Sequence, residues 1–382
     1  MTIDTHTPTR RGILRGALGL SACLTLPAWS QPGKASGAAR AVSVAQIVDT
    51  SADQLDVSKD FLIGSRAAWQ DLNARGGING LAVQHWTLEV DGSAASLRAA
   101  LDSIKATPQC VALCGTAGDR AASELVNLLR KEPQSLAHAA PWLQNSDLDG
   151  DARTFPIFAS RQDQIAQALR SLSVMSVREL GAVYASPREH ALFHDEVERA
   201  SATLKIRLKV YTSAGDLVGL GRSLDQQTPR ILLFVGGTPE LAQFTQGIEK
   251  QAQQRYVIAM ADVNLQTMVQ MGAARHTPVM ATQVVPMINS ALPVVKSYRE
   301  VLARLFDEPP TPQGLAGYIA ARYTAEVLGT VDGTPTRAGV LAAFQRRQSV
   351  DLGGFRVSFN AQGRGGSFVT QSMIASDGRL IG

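Results

Sequence analysis

The sequence predicts an α/β protein of two similar lobes, each a parallel sheet flanked by helices. Three observations carry this. From Ala41 onward, short apolar strands alternate with helical stretches, the βαβα order that favours a parallel sheet covered on both faces. The pattern restarts after Thr154-Phe155-Pro156 with a similar rhythm, although no residue-level repeat is visible. And 382 residues suffice for two full cores.

The residues before Ala41 read as an address rather than as structure. Thr9-Arg10-Arg11-Gly12-Ile13-Leu14-Arg15 looks like a twin-arginine export signal. The apolar stretch Ala17 to Leu26 is too short to span a membrane. Ala28-Trp29-Ser30 before Gln31 looks like a signal-peptidase site, which makes residues 1–30 a cleaved leader and 31–40 a polar linker. Leu20-Ser21-Ala22-Cys23 offers a rival cut, a lipobox that would leave a lipid-bearing Cys23 at the N-terminus. Either route delivers the chain to the periplasm.

In the first unit Ala41–Val48 reads as a strand. The run from Phe61 to Gly80 is the most informative in the chain. Phe61, Ser65, Ala68 and Leu72 are spaced four, three and four, with Trp69 widening the stripe, which is one buried helical face. Gly76 and Gly77 suit a left-handed helix end, and Asn79-Gly80 is a turn before the next strand. Strand Val83–Val90, helix Ser96–Ala106, strand Val111–Cys114 and helix Ala121–Lys131 follow. In the second unit Gln164–Leu172 is helical, Leu180–Tyr184 a strand, Glu189–Ala202 a helix and Ile206–Val210 an alternating strand. Arg230–Val235 is continuously apolar, as expected for a strand covered on both faces.

Composition excludes several classes. Hydrophobic content is 45% and charged content 18%, unlike a disordered or membrane-spanning chain. Net charge is +4, and removing Arg10, Arg11, Arg15 and Asp4 with the leader takes it to +2, too little for a nucleic-acid surface. Cys110 and Cys114 lie about 13 Å apart in one strand at ~3.3 Å per residue, too far to bridge, so both read as buried or pocket-edge thiols. There is no G-x-S-x-G elbow, no phosphate loop ending in G-K-[ST] and no H-E-x-x-H. An enzyme needs a nucleophile–base or metal set and the sequence supplies none, so neither catalysis nor a cofactor is expected. His190 and His194 share a helical face, but two histidines fall short of the usual ligand set, and no metal site is expected.

The Phe61–Gly80 run resembles the first helix of the type-1 periplasmic binding proteins of the leucine/isoleucine/valine-binding kind. Gly64, Ala68, Leu72, Asn73, Ala74, Gly76, Gly77, Ile78 and Gly80 fill the family's pattern there. The resemblance extends through Ala281-Thr282-Gln283-Val284-Val285-Pro286, Gly317-Tyr318-Ile319-Ala320-Ala321-Arg322 and Gly353-Gly354-Phe355-Arg356-Val357-Ser358-Phe359. It implies a three-strand hinge near Phe155–Ser160, Gln283–Met287 and Asp351–Phe355. Lobe 1 would be 41–156 plus 286–351, and lobe 2 would be 157–285 plus 352–382.

The resemblance also implies the function and its residues. The chain would be the solute-binding component of an ABC importer, closing on a small polar, carboxylate- or amide-bearing ligand and passing it to membrane permease and ATPase subunits. The alternative is a sensory protein of the same fold. Loops at the strand ends would line the cleft. Ser51 and Gln54 fall in the first loop, and Gly115 and Thr116 in the second, with Thr116 where the family holds the ligand's carboxylate. A strand-to-helix turn with Asp119 as N-cap is the plain structural reading of that loop. Ala140 and Trp142 fall in the third, Trp142 replacing a hydroxyl. Tyr184 and Glu189 flank a fourth, where the family usually places an aromatic over the ligand. Gly237 ends a buried strand, and Asp262 sits near the place of an acidic residue that takes the ligand's ammonium.

Overall fold

The computed structural model describes residues 41–132, 135–174, 177–249, 251–272, 277–374 and 380–381. The leader, its two candidate cuts at Cys23 and Ser30, and the linker lie outside them. Among the described residues no helix is long and apolar enough to cross a membrane.

The first unit is β1 (Ala41–Asp49), α1 (Leu55–Ala74), β2 (Ala82–Val90), α2 (Ala94–Lys105), β3 (Cys110–Cys114), α3 (Asp119–Lys131), β4 (Ala137–Ala139) and β5 (Thr154–Phe155). Its five strands are ordered β2-β1-β3-β4-β5, all parallel. The second unit is α4 (Arg161–Val174), β6 (Glu179–Tyr184), α5 (Pro187–Thr203), β7 (Arg207–Thr212), α6 (Leu217–Ser223), β8 (Ile231–Val235), α7 (Thr238–Ile248), β9 (Tyr256–Ala259), α8 (Leu265–Gln270) and β10 (Val279–Gln283). The chain then returns to the first lobe as α9 (Pro293–Leu305), α10 (Pro312–Gly329) and α11 (Arg337–Gln345). A small ribbon, β11 (Val350–Asp351) with β12 (Arg356–Val357), precedes β13 (Thr370–Ile374) and β14 (Leu380–Ile381). The second sheet is ordered β14-β13-β10-β9-β8-β6-β7. It departs from the parallel expectation at one edge, where β13 and β14 run antiparallel.

Period-two alternation feeds both faces of each sheet. In β1, Val42, Val44 and Val48 join α1, α9, α10 and α11, while Ala45 and Ile47 meet α2 and α3 on the other side. In the second lobe Leu232 and Phe234 pack towards α6, α7 and α8, and Leu233 and Val235 towards α4 and α5. The glycine stop of α1 is present as expected, with Gly76 at φ 101° and Gly77 at φ 75°. Phe355 and Val357 still belong to the first lobe's core. The chain thus passes between the sheets three times, after β5, after β10 and, past the stretch Asp351–Phe355, between β12 and β13.

Helices α1 and α10 meet backbone to backbone. A Cβ added at Gly64 would overlap the Gly314 carbonyl, and one at Gly317 would overlap the Phe61 carbonyl. The buried Ser65 hydroxyl reaches Gly317 O at 3.2 Å across this seam. Cys114 lies beneath it, its thiol 3.1 Å from Thr324 Oγ1, and burial pushes the Cys114 pKa up to about 12. Both described cysteines are free and buried.

Candidate ligand-binding cleft

The C-terminal ends of the parallel strands in both sheets open on one cavity of about 810 Å³. It is lined from the first lobe by residues following β1 and β3, and from the second by residues following β6, β8 and β9. The lining holds nine carboxylates and four arginines. Several polar atoms on it are buried without a partner, among them Gln54 Oε1, Arg161 Nε, Glu196 Oε1 and Glu240 Oε2.

Of the residues chosen from sequence, Gln54, Glu189, Gly237 and Asp262 line this cavity. Ser186 caps α5 by accepting from the backbone N–H groups of Arg188 and Glu189, and its hydroxyl donates to the Glu189 carboxylate. Asp262 is engaged on both oxygens. Oδ1 accepts from Trp142 Nε1 at 2.8 Å and Gln144 Nε2 at 2.5 Å, and Oδ2 accepts from Arg161 Nη2 at 2.8 Å.

The other six lie behind the cavity wall. Thr116 is fully buried, and its hydroxyl sits 2.8 Å from His138 Nε2 inside the sheet. Burial holds the His138 pKa down to about 3, so this pair is neutral. Trp142 is 2% exposed and packs against Phe61 and Phe158, with only its indole N–H reaching across to Asp262. Ala140 is buried at φ 47°. Gly115, at φ 62°, accepts on its carbonyl from Gln46 Nε2 at 2.7 Å. Ser51 donates its backbone N–H to Asp49 Oδ1, and its hydroxyl is buried. Tyr184 is buried against the rings of His190 and His194, which share a helical face as expected and stack on each other at 4.5 Å. Asp119 is the first residue of α3, and Gly118, at φ 98°, is the N-cap in its place.

The sequence reading missed Arg161. It opens α4, where a cation meets the positive end of the helix dipole. Asp119, 3.5 Å away, and Asp262 compensate it, and its guanidinium lies 4.2 Å over the Phe193 ring. A basic residue in the first turn of a helix was the available signal. Gln164 and Gln144 complete the network. Gln164 Nε2 donates to Gln144 Oε1 at 2.7 Å, while its Oε1 accepts from Ala261 N and Thr282 Oγ1, both at 2.9 Å.

A second set of contacts joins the lobes along α1 and α10. Asn264, the N-cap of α8, donates Nδ2 to Asp60 Oδ2 at 2.7 Å. Gln313 Nε2 donates to Ala261 O at 2.9 Å. Burial raises the Asp60 pKa to about 6, against the lowering effects of Thr311, Lys59 and Asn264, while Asp56 adds to the rise. A lobe separation that hydrates Asp60 returns it towards 3.8. The closed arrangement then binds the extra proton. Its advantage is complete below the hydrated value and is lost as pH rises through about 6. The expected result is that closure, followed by small-angle scattering, becomes more complete from pH 7 to pH 5, and that Asp60→Asn flattens this dependence. An unchanged slope in the variant would remove Asp60 as the titrating group.

Residues 41–376 match the model of a family described as periplasmic binding protein. Solved structures share the fold. An extracellular ligand-binding receptor from Verminephrobacter eiseniae superposes at TM-score 0.81 with 18% identity, over 89% of this chain and 99% of the other. A substrate-binding periplasmic protein from Ralstonia solanacearum gives 0.79 with 21% identity over the same shares. The branched-chain amino acid transporter substrate-binding protein LivJ from Streptococcus pneumoniae, in complex with isoleucine, gives 0.75 with 13% identity over 90% and 98%. No curated protein matches the chain in sequence.

Proposed function

Because this chain belongs to the periplasmic binding protein family, we propose that it is the solute-binding component of an ABC importer of the branched-chain amino-acid type. It takes a small polar ligand bearing a carboxylate or an amide between its lobes and passes it to permease and ATPase subunits. The observation that carries this reading is the cavity at the strand ends, with unpaired donors and acceptors on its wall. An orphaned buried polar atom costs about 1–3 kcal/mol, and a polar solute relieves that cost.

The first and second lobes contribute different groups. Gln54 and Arg120 come from the first, and Glu189, Gly237 and Glu240 from the second. A solute touching both sides favours the closed form by its differential affinity. Thr116 spends its hydroxyl on His138, so in this reading a ligand carboxylate takes its donors from Arg120 or from backbone N–H groups. Asp262 acts as an organiser of the cleft wall rather than as the acceptor of a ligand ammonium.

A thermal-shift panel of amino acids, short amides, aromatic carboxylates, sugars and inorganic cations tests the reading. At least one amino acid, amide or carboxylate is expected to stabilise the protein, by about 2.7 kcal/mol at a hundred times its Kd. A panel in which only sugars or cations stabilise it would overturn the ligand class.

A further inference from the structure

One wall of the cavity is built by the start of α4 and one face of α5. Phe193 and Glu196 are three residues apart on α5, so they present on one face. Arg161 lies over the Phe193 ring at 4.2 Å, and its side chain is only 6% exposed. One end of its guanidinium, Nη2, is spent on Asp262 and Asp119. Its Nε–H is buried with no partner in the protein. Close by, Glu196 Oε1 is also buried without a partner. The same wall therefore carries one unanswered donor and one unanswered acceptor.

Charge narrows what fits. The Arg161 guanidinium is surrounded by the carboxyl groups of Asp119, Asp262 and Glu196, with Arg199 as the other cation acting on Glu196. A carboxylate added here meets an excess of like charge. An ammonium satisfies Glu196 but leaves the Arg161 donor orphaned. A group with a carbonyl and an N–H in one plane satisfies both. Burial lifts the Glu196 pKa to about 7 even though Arg161 and Arg199 pull it down, so its charge is only weakly held and a neutral partner suits it.

We propose that Arg161 and Glu196 form a carboxamide subsite, in which Arg161 Nε–H donates to the ligand's carbonyl and Glu196 Oε1 accepts its N–H. This deepens the solute-binding reading of the cleft and rests on it. It makes the protein select amides over the matching acids.

Calorimetric titration of the full exported chain at pH 7.5 with matched pairs tests it: nicotinamide and nicotinate, benzamide and benzoate, glutamine and glutamate. In at least one pair the amide is expected to bind ten-fold or more tightly than the acid. Glu196→Leu should remove that preference, while Glu196→Gln, which keeps an acceptor oxygen, should retain most of it. Circular dichroism of both variants controls for folding. An acid that binds as well as its amide in every pair, or Glu196→Leu binding the amide as tightly as the parent, would overturn the subsite. Absence of binding by every amide would also overturn it. If another solute of the wider panel then binds, with an affinity indifferent to Glu196→Leu, the solute-binding reading survives. If nothing binds, both readings fall.

Discussion

Replacing Asp262 with alanine is expected to cost about 3–5 kcal/mol of stability, the usual result of breaking a buried ion pair from one side. The reason is what it leaves behind. Arg161 is 6% exposed and would retain only Asp119, at 3.5 Å. Trp142 Nε1 and Gln144 Nε2 would lose their acceptor in the same step. Asp262→Asn keeps an oxygen for one of these donors but not the charge, so it should fall between the parent and alanine. Urea unfolding at pH 7 measures both. A loss below about 1 kcal/mol for alanine would mean that water or Asp119 repairs the site, and that the network does not organise the wall.

The second large effect belongs to the α1–α10 seam. Gly317→Ala should destabilise the protein by about 3 kcal/mol, the upper end for overpacking, because the new methyl overlaps the Phe61 carbonyl and neither backbone can yield alone. Gly329→Ala, at the end of the same helix, is the control. A Cβ there meets nothing within 4 Å. It should be neutral or stabilise by up to ~1 kcal/mol through helix propensity and a less flexible unfolded chain. Equal effects at the two positions would show that the close approach of the helices is not what Gly317 serves.

These two sites also show what the sequence disclosed. The helix over Phe61 was legible because its apolar spacing and glycine stop are local signals. Gly64 appeared in the family pattern, but its partner Gly314 lies on α10, beyond strands β6 to β10 of the second lobe in the chain. The short strands β4 and β5 escaped notice because three and two residues carry no readable period. β14 has only two residues, and β13 begins with three polar residues, Thr370-Gln371-Ser372, and shows neither an apolar run nor an alternation. At the cleft, position in a loop located the backbone, not the direction of the side chain. Thr116 and Trp142 stand at strand ends yet turn into the core, where His138, Phe61 and Phe158 receive them. Arg161 resembled any charged residue at a helix start. Its burial depends on Asp119 and Asp262, 42 and 101 residues away, which no local pattern reports.

The α1–α10 seam has a consequence for how the chain folds. The hydrogen bond from Ser65 to Gly317 closes a loop of 252 residues, and the parallel strands β6 to β10 of the second lobe lie entirely inside it. Those strands are contiguous in the chain and can pair as they are synthesised. The first lobe is different. Its β1 and α1 are made early, but α9 and α10, which cover α1, follow β6 to β10, so the apolar side of α1 waits through most of translation. Long-range closure of this kind slows folding and leaves exposed surface to aggregation or chaperones in the meantime. An early helix, α1, is thus among the last elements to reach its native environment.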